Sequence, residues 1–254
     1  MTSETGSLLV SLAMAVAAGL VGCYAVMRRM TLAADAISHV ALPGIGIALA
    51  LHIHPIWGAV AALVAGTLLI WALEHRTGIA TETVIGVVFS AALAVGSLMT
   101  SGHELIELFL GGPGTLTTGE TLFGLGGAAA VVTFVLTQRG RLILTLVSPD
   151  IARTAGIRVA RLDLLFLSAF ALTVALGLRY LGVLLMGSLV IIPAATAKNT
   201  ANNLTAMLSH AVGIAVLATG VGTVAAARMH QPTGPLIIGV AAACFLLSLL
   251  RRRG

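Results

Sequence analysis

Charge is scarce in this chain. Asp, Glu, Lys and Arg make up 9% of its 254 residues, where a soluble domain carries roughly 25%. That shortage excludes a water-soluble globular protein. Lysine occurs once, at Lys198. The two cysteines, Cys23 and Cys244, both fall in apolar runs, which excludes a disulfide framework and a cysteine-based metal cluster. No G-x-x-x-x-G-K-[ST] loop occurs, so any ATP that drives this protein is bound by another chain. His103-Glu104-Leu105-Ile106-Glu107 lacks the second histidine of a zinc-protease motif. Gly124-Leu125-Gly126-Gly127 sits inside an apolar run with no strand before it, which removes the dinucleotide reading.

Apolar residues are abundant instead, at 58% of the chain, with a mean hydropathy of +1.07. Their runs accommodate about nine spans of about 20 residues each. The fold class is therefore all-α and polytopic, with residues 1–254 read as a single transmembrane domain. The first apolar run has no small-residue cleavage site and is long enough to remain as a span. The formal net charge of +5 does not point to nucleic acid, because the arginines lie in short loops. Loop arginines of this kind mark the cytoplasmic side.

Alternation of loop charge orders the spans. Spans at about 8–27 and 33–51 flank Arg28 and Arg29, so that turn is cytoplasmic and the N-terminus lies outside. Spans at about 56–73 and 83–99 flank Glu74-His75-Arg76, also inside. In the latter span Gly86, Ser90 and Ala94 form a small-residue stripe of the kind that lets helices approach closely. The loop 101–119 holds Glu104 and Glu107 but no Lys or Arg, and is placed outside. After a span at about 121–136 comes a polar cytoplasmic stretch, 138–163, with five arginines. Within it Ser148-Pro149-Asp150-Ile151-Ala152-Arg153 reads as a short helix that ends at Gly156. Spans at about 164–178, 181–197, 204–227 and 236–250 complete the chain and leave its C-terminus inside. Pro43-Gly44 and Pro193 predict broken helices, tolerated at membrane depth only where they are buried in protein or line a cavity.

Asp35 and His39 are four residues apart in the second span, so a helix places them on one face. Asp35 alone could be a helix-start aspartate, and His39 alone an interhelical hydrogen-bonding residue. One carboxylate and one imidazole together, beside a helix break, suit a transient divalent-metal site. His210 lies at a similar depth from the inner start of its span, and joins the pair if the second and eighth spans are neighbours. His52, His54, His103 and His230 all fall on the outer side, as polar loop residues or as an entry funnel for metal.

Four stretches resemble the permease subunits of the ABC-3 class of bacterial ABC importers. Ala34-Asp35-Ala36-Ile37-Ser38-His39-Val40-Ala41-Leu42-Pro43-Gly44 is similar to that family's Gly-Asp-Ala-Leu-Ser-His-Ala-x-Leu-Pro-Gly, with Ala34 for the glycine. The stretch 82–90 resembles Glu-Asp-x-x-Ile-Gly-Ile-x-Phe-Ser, with Thr83 for the aspartate. Residues 150–156 resemble, in shortened form, an Asp-x-x-x-Ala-x-x-x-Gly region, and 180–198 resemble a segment ending in Pro-Ala-Ala-x-Ala. The resemblance implies import of zinc, manganese or iron across a bacterial inner membrane, with no permanently bound cofactor. It implies a permease homodimer, two cytoplasmic ATP-binding subunits and an extracytoplasmic metal-binding protein. It also implies that Asp35 and His39 belong to the metal path, and that the stretch with Asp150, Ala152 and Gly156 docks the ATPase. A proton-coupled secondary metal transporter is the alternative, and an intramembrane metalloenzyme, short of a complete ligand set, ranks last.

Overall fold

The computed structural model describes residues 3–30, 33–53, 55–99, 117–181 and 183–251. These form ten helices: α1 (Ser3–Met27), α2 (Ala33–Ala50), α3 (Pro55–Thr77), α4 (Thr81–Met99), α5 (Thr118–Val147), α6 (Pro149–Thr154), α7 (Val159–Tyr180), α8 (Val183–Thr200), α9 (Leu204–Met229) and α10 (Thr233–Arg251). All but α6 have 18 residues or more. Seven of them, α1, α3, α4, α5, α7, α9 and α10, are long and apolar enough to cross a membrane, whereas the apolar stretch of α2 is shorter, Ala36–Ala50. The expected nine spans thus correspond to these seven together with α2 and α8, which pack beside them.

α1 is the central post. In its most apolar window 72% of residues are buried, against 22% for α3, α4, α5 and α10. It contacts α5, α7, α8 and α9. Lipid tails give helices no hydrophobic reason to associate, so close packing has to hold them together. Small residues provide it: a Cβ on Gly22 would collide with the Val190 carbonyl of α8, and Gly19 lies against the Ala211 carbonyl of α9. A second group, α2 with α3 and α4, joins the post through α7 and α8.

Each expected helix break is closed. α2 runs through Pro43 and α8 through Pro193 without interruption. Both prolines cost a backbone hydrogen bond, yet neither ends its helix. Gly44 of α2 and Gly58 of α3 are so close that a Cβ on either would overlap the other's carbonyl. Gly96 of α4 sits against Leu42 and Pro43, while Pro193 is itself buried. At the Gly86-Ser90-Ala94 stripe, in contrast, a Cβ on Gly86 would meet nothing within 4 Å among the described residues. All three residues are exposed, and Gly96 is the α4 glycine that meets α2.

α5 also extends beyond its expected end near residue 136, continuing to Val147. Val131, Val135, Leu142 and Thr145 keep one face buried, and Arg139 and Arg141 project from the exposed face. Its 30 residues span about 45 Å, more than the ~30 Å that a hydrocarbon core requires.

Candidate metal path on α2 and the short helix α6

Most of the described cations lie at one end of the helices, with Arg179 and Arg228 at the other. Arg28 at the end of α1 pairs with Asp163 of α7 at 2.8 Å, and its guanidinium lies 4.7 Å from the Phe166 ring centroid. His75 Nε2 of α3 is 4.0 Å from the same carboxylate. Trp71 Nε1 donates to the Ala160 carbonyl at 2.9 Å. These contacts tie the starts of α4 and α7 and the ends of α1 and α3 into one basic end. At the opposite end Tyr180 donates to the Glu120 carbonyl at 2.6 Å, and Arg179 pairs with the Glu120 carboxylate.

α2 starts at the basic end, so Asp35 lies in its first turn and His39 one turn further in. The Asp35 side chain is outside the described residues. His39 is half-buried, and its ring centroid lies 5.5 Å from that of Phe89 on α4, the planes inclined at 57°. Phe89 also lines a cavity of about 160 Å³ between the starts of α2 and α4. Met30, Ala33 and Ala36 form one wall; Ile85, Gly86 and Glu82 form the other. Neither Phe89 nor Glu82 stood out in the sequence as a site residue. Their signal was the spacing Glu82, Gly86, Phe89, one face of α4 over two turns.

His210 is not brought to this pair. It is exposed, and its Nδ1 lies 3.1 Å from Thr200 Oγ1 at the end of α8. α2 packs on α3, α4, α7 and α8, whereas α9 packs on α1, α8 and α10. The neighbour relation that would join His210 to Asp35 is therefore missing within one chain: α8 stands between the two helices. Among the described residues no group of three or more His, Cys, Asp or Glu side chains converges. His52 and His230 are exposed helix terminators at the far end, both left-handed, with φ of 54° and 52°. His54 and His103 lie outside the described residues.

The short helix forms where its residues predict. Ser148 caps it by accepting from the Ile151 amide at 3.3 Å, and Pro149 occupies its first turn. Gly156 takes φ +80°, a conformation costly for other residues. The Ile157 amide then closes on the Ala152 carbonyl at 2.9 Å. Ala152 is fully buried against the chain's own helices. Asp150, paired with Arg153 at 2.8 Å, and Ile151, 57% exposed, face away. Ala152 and Gly156 thus shape α6, and Asp150, Ile151 and Arg153 are the groups it presents.

A shell of apolar helices around a buried post, with ionisable residues at helix starts, defines a multi-pass α-helical membrane protein. The chain belongs to the ABC 3 transport family, whose sequence model matches residues 5–252. It is 28% identical over 246 residues to the manganese import system permease protein ScaB of Streptococcus parasanguinis, covering 95% of this chain and 88% of that protein. It is 29% identical over 238 residues to the high-affinity zinc uptake system membrane protein ZnuB of Haemophilus influenzae, covering 91% and 90%. Its fold matches PsaBC from Streptococcus pneumoniae, solved in complex with Fab, with a TM-score of 0.82 at 25% identity, over 98% of this chain and 91% of that one.

Proposed function

We propose that this chain is the permease subunit of an ATP-driven importer of a divalent transition metal, zinc or manganese. The observation that carries the reading is coverage: membrane subunits named for manganese and zinc import match about nine-tenths of both chains. The chain is a transport subunit and not an enzyme; ATP hydrolysis belongs to a separate cytoplasmic subunit. The basic end faces the cytoplasm, because Arg28, Arg29, Arg76, Arg158, Arg161 and Lys198 gather there, with the N-terminus outside and the C-terminus inside. α6 lies at that end and docks the ATPase, with two permease copies and two ATPases forming the transporter. An extracytoplasmic binding protein delivers the ion at the other end.

Asp35 and His39 hold the metal in transit. An ionised carboxylate in lipid costs about 2.5–3.5 kcal/mol even on the mildest scale, which favours Asp35 on a wet or protein-lined path. A carboxylate and an imidazole replace part of the ion's lost hydration, and so few ligands leave it able to depart. His210, on the far side of α8, contributes less.

The test is metal uptake by proteoliposomes holding the permease, its ATPase and the binding protein. His39→Ala and Asp35→Asn abolish ATP-dependent uptake with assembly intact, while His210→Ala has a smaller effect. Uptake driven by a proton gradient without ATP would favour a secondary transporter. Wild-type uptake by both α2 variants would move the metal path away from α2.

A further inference from the structure

Side chains from three helices meet at the basic end, and one of them belongs to the residue type that changes charge near neutral pH. Asp163 of α7 gives one carboxylate oxygen, Oδ1, to Arg28 of α1 at 2.8 Å. Its other oxygen, Oδ2, faces His75 Nε2 at the end of α3, 4.0 Å away. The Asp163 side chain is 14% exposed and that of His75 28%. On the other side of the ring, Nδ1 lies 3.0 Å from the Trp71 carbonyl. Both ring nitrogens therefore face acceptors. A neutral imidazole has one N–H and serves one of them; an imidazolium serves both. The last turn of α3, with its free carbonyls and the negative end of the helix dipole, favours a cation as well. The other charged and titratable groups described on the packed helices are engaged elsewhere or open to solvent. Glu74 accepts from Thr81, and Arg28 is held by Asp163. Arg76, Glu82 of α4 and Arg161 of α7 are exposed. From α2, His39 turns to Phe89.

The place of this contact gives it a consequence. α2, α3 and α4 form one group, joined to the α1 post through α7 and α8. Among the described residues, α3 reaches α7 at the basic end through Trp71, which donates to the Ala160 carbonyl, and through His75. The indole donates at any pH; the imidazole does not. We propose that His75 and Asp163 form a proton-operated clasp on the cytoplasmic side: charged His75 holds the end of α3 against α7, and loss of its proton frees that end. Arg28 keeps Asp163 in place in both states, so the proton acts on the link between α3 and α7 and spares the one between α1 and α7. The clasp is closed at low pH and weakens as pH rises. For an ion pair open in part to solvent, closing shifts the held-to-free ratio by up to about fivefold. The consequence for transport rests on the function proposed above: a held α2–α3–α4 group, with Asp35 and His39 on it, slows import as the cytoplasm acidifies.

Three measurements test the clasp. The chain has two tryptophans, and Trp57 is 70% exposed, so Trp57→Phe leaves Trp71 as the sole indole at little cost. The Trp71 ring centroid is 5.1 Å from that of His75, and a protonated imidazole quenches indole emission more than a neutral one. Emission of the detergent-solubilised permease therefore rises between about pH 5 and 8, and His75→Gln removes the rise. A flat curve before His75 is changed overturns the proposal. Thermal unfolding of His75→Gln, Asp163→Asn and the double variant then gives the coupling between the two residues. That coupling is present near the acid end of this range and falls toward its alkaline end; equal coupling at both overturns the proposal. Lastly, uptake of Mn²⁺ and Zn²⁺ is followed in proteoliposomes of the complete transporter, with the ATPase side buffered at either end of the range. Acid slows the wild type by up to about fivefold more than it slows His75→Gln. Equal slowing of both overturns the role in import. If the wild type carries neither metal while the first two results hold, the functional reading fails and the clasp stands.

Discussion

Arg28 is the most exacting residue of the basic end. Its guanidinium is 16% exposed, bound to Asp163 and stacked on Phe166. Removing the partner leaves a largely buried cation with only the ring for company. Asp163→Asn keeps an oxygen that can accept from Arg28 but removes the opposite charge, and should therefore destabilise the protein by about 1–3 kcal/mol, the range for weakening a charge-assisted hydrogen bond. Replacing both residues with apolar ones of similar size should recover much of that loss, because the desolvation penalty disappears with the charges. Thermal unfolding of the detergent-solubilised permease checks both. An Asp163→Asn variant as stable as wild type would mean that Phe166 and solvent suffice to hold Arg28.

Among the elements α6 has the clearest division of labour. Its buried side fixes it to the permease through Ala152, and its open side offers Asp150, Ile151 and Arg153. A bulky residue at Ala152 would strike the chain's own core, so the informative change is on the open side. Ile151→Glu should weaken ATPase assembly or uncouple ATP hydrolysis from transport while leaving the permease's own melting temperature near wild type. Co-purification of the ATPase, metal-stimulated hydrolysis and thermal unfolding measured together decide it. If assembly and coupling are untouched, the docking surface lies elsewhere on the basic end. Loss of thermal stability instead would show that Ile151 packs more than its 57% exposure implies.

At the scale of the molecule, orientation follows from which end carries the cations. Reporters placed after Arg29 and Arg158 should read cytoplasmic, and one near Gln231 should read outside. Gln231 follows the left-handed His230 that ends α9, at the end opposite Arg158. A cytoplasmic signal at Gln231 would invert α9 and α10 relative to the rest and break the charge alternation. The exposed Gly86-Ser90-Ala94 stripe belongs to this scale too. Ser90 and Ala94 are exposed among the described residues, while Gly86 borders the cavity between α2 and α4.

Sequence alone determined the class of fold and the placing of most helices, because a membrane imposes one length and one polarity on every span. It also determined α6, since Ser148, Pro149 and Gly156 act through local backbone geometry that needs no partner. The resemblance of residues 34–44 to one permease family was legible for the same local reason: the residues are contiguous. What only the tertiary structure decided were relations between distant residues. Nearly uniform apolar helices carry no stripe that says which of them is central, so the burial of α1 emerged only from packing. Pro43 and Pro193 predict breaks because proline's cost is local, whereas the helices packed around them, α3 and α4 beside α2 and α1, α9 and α10 beside α8, are distant in sequence. His210 matched Asp35 in depth, but depth leaves the position around the bundle open, and packing put α8 between them. Phe89 meets His39 in the same way, through contact between two helices, 50 positions apart in the sequence. A single span's spacing fixes which residues share a face; only the arrangement of helices fixes what that face meets.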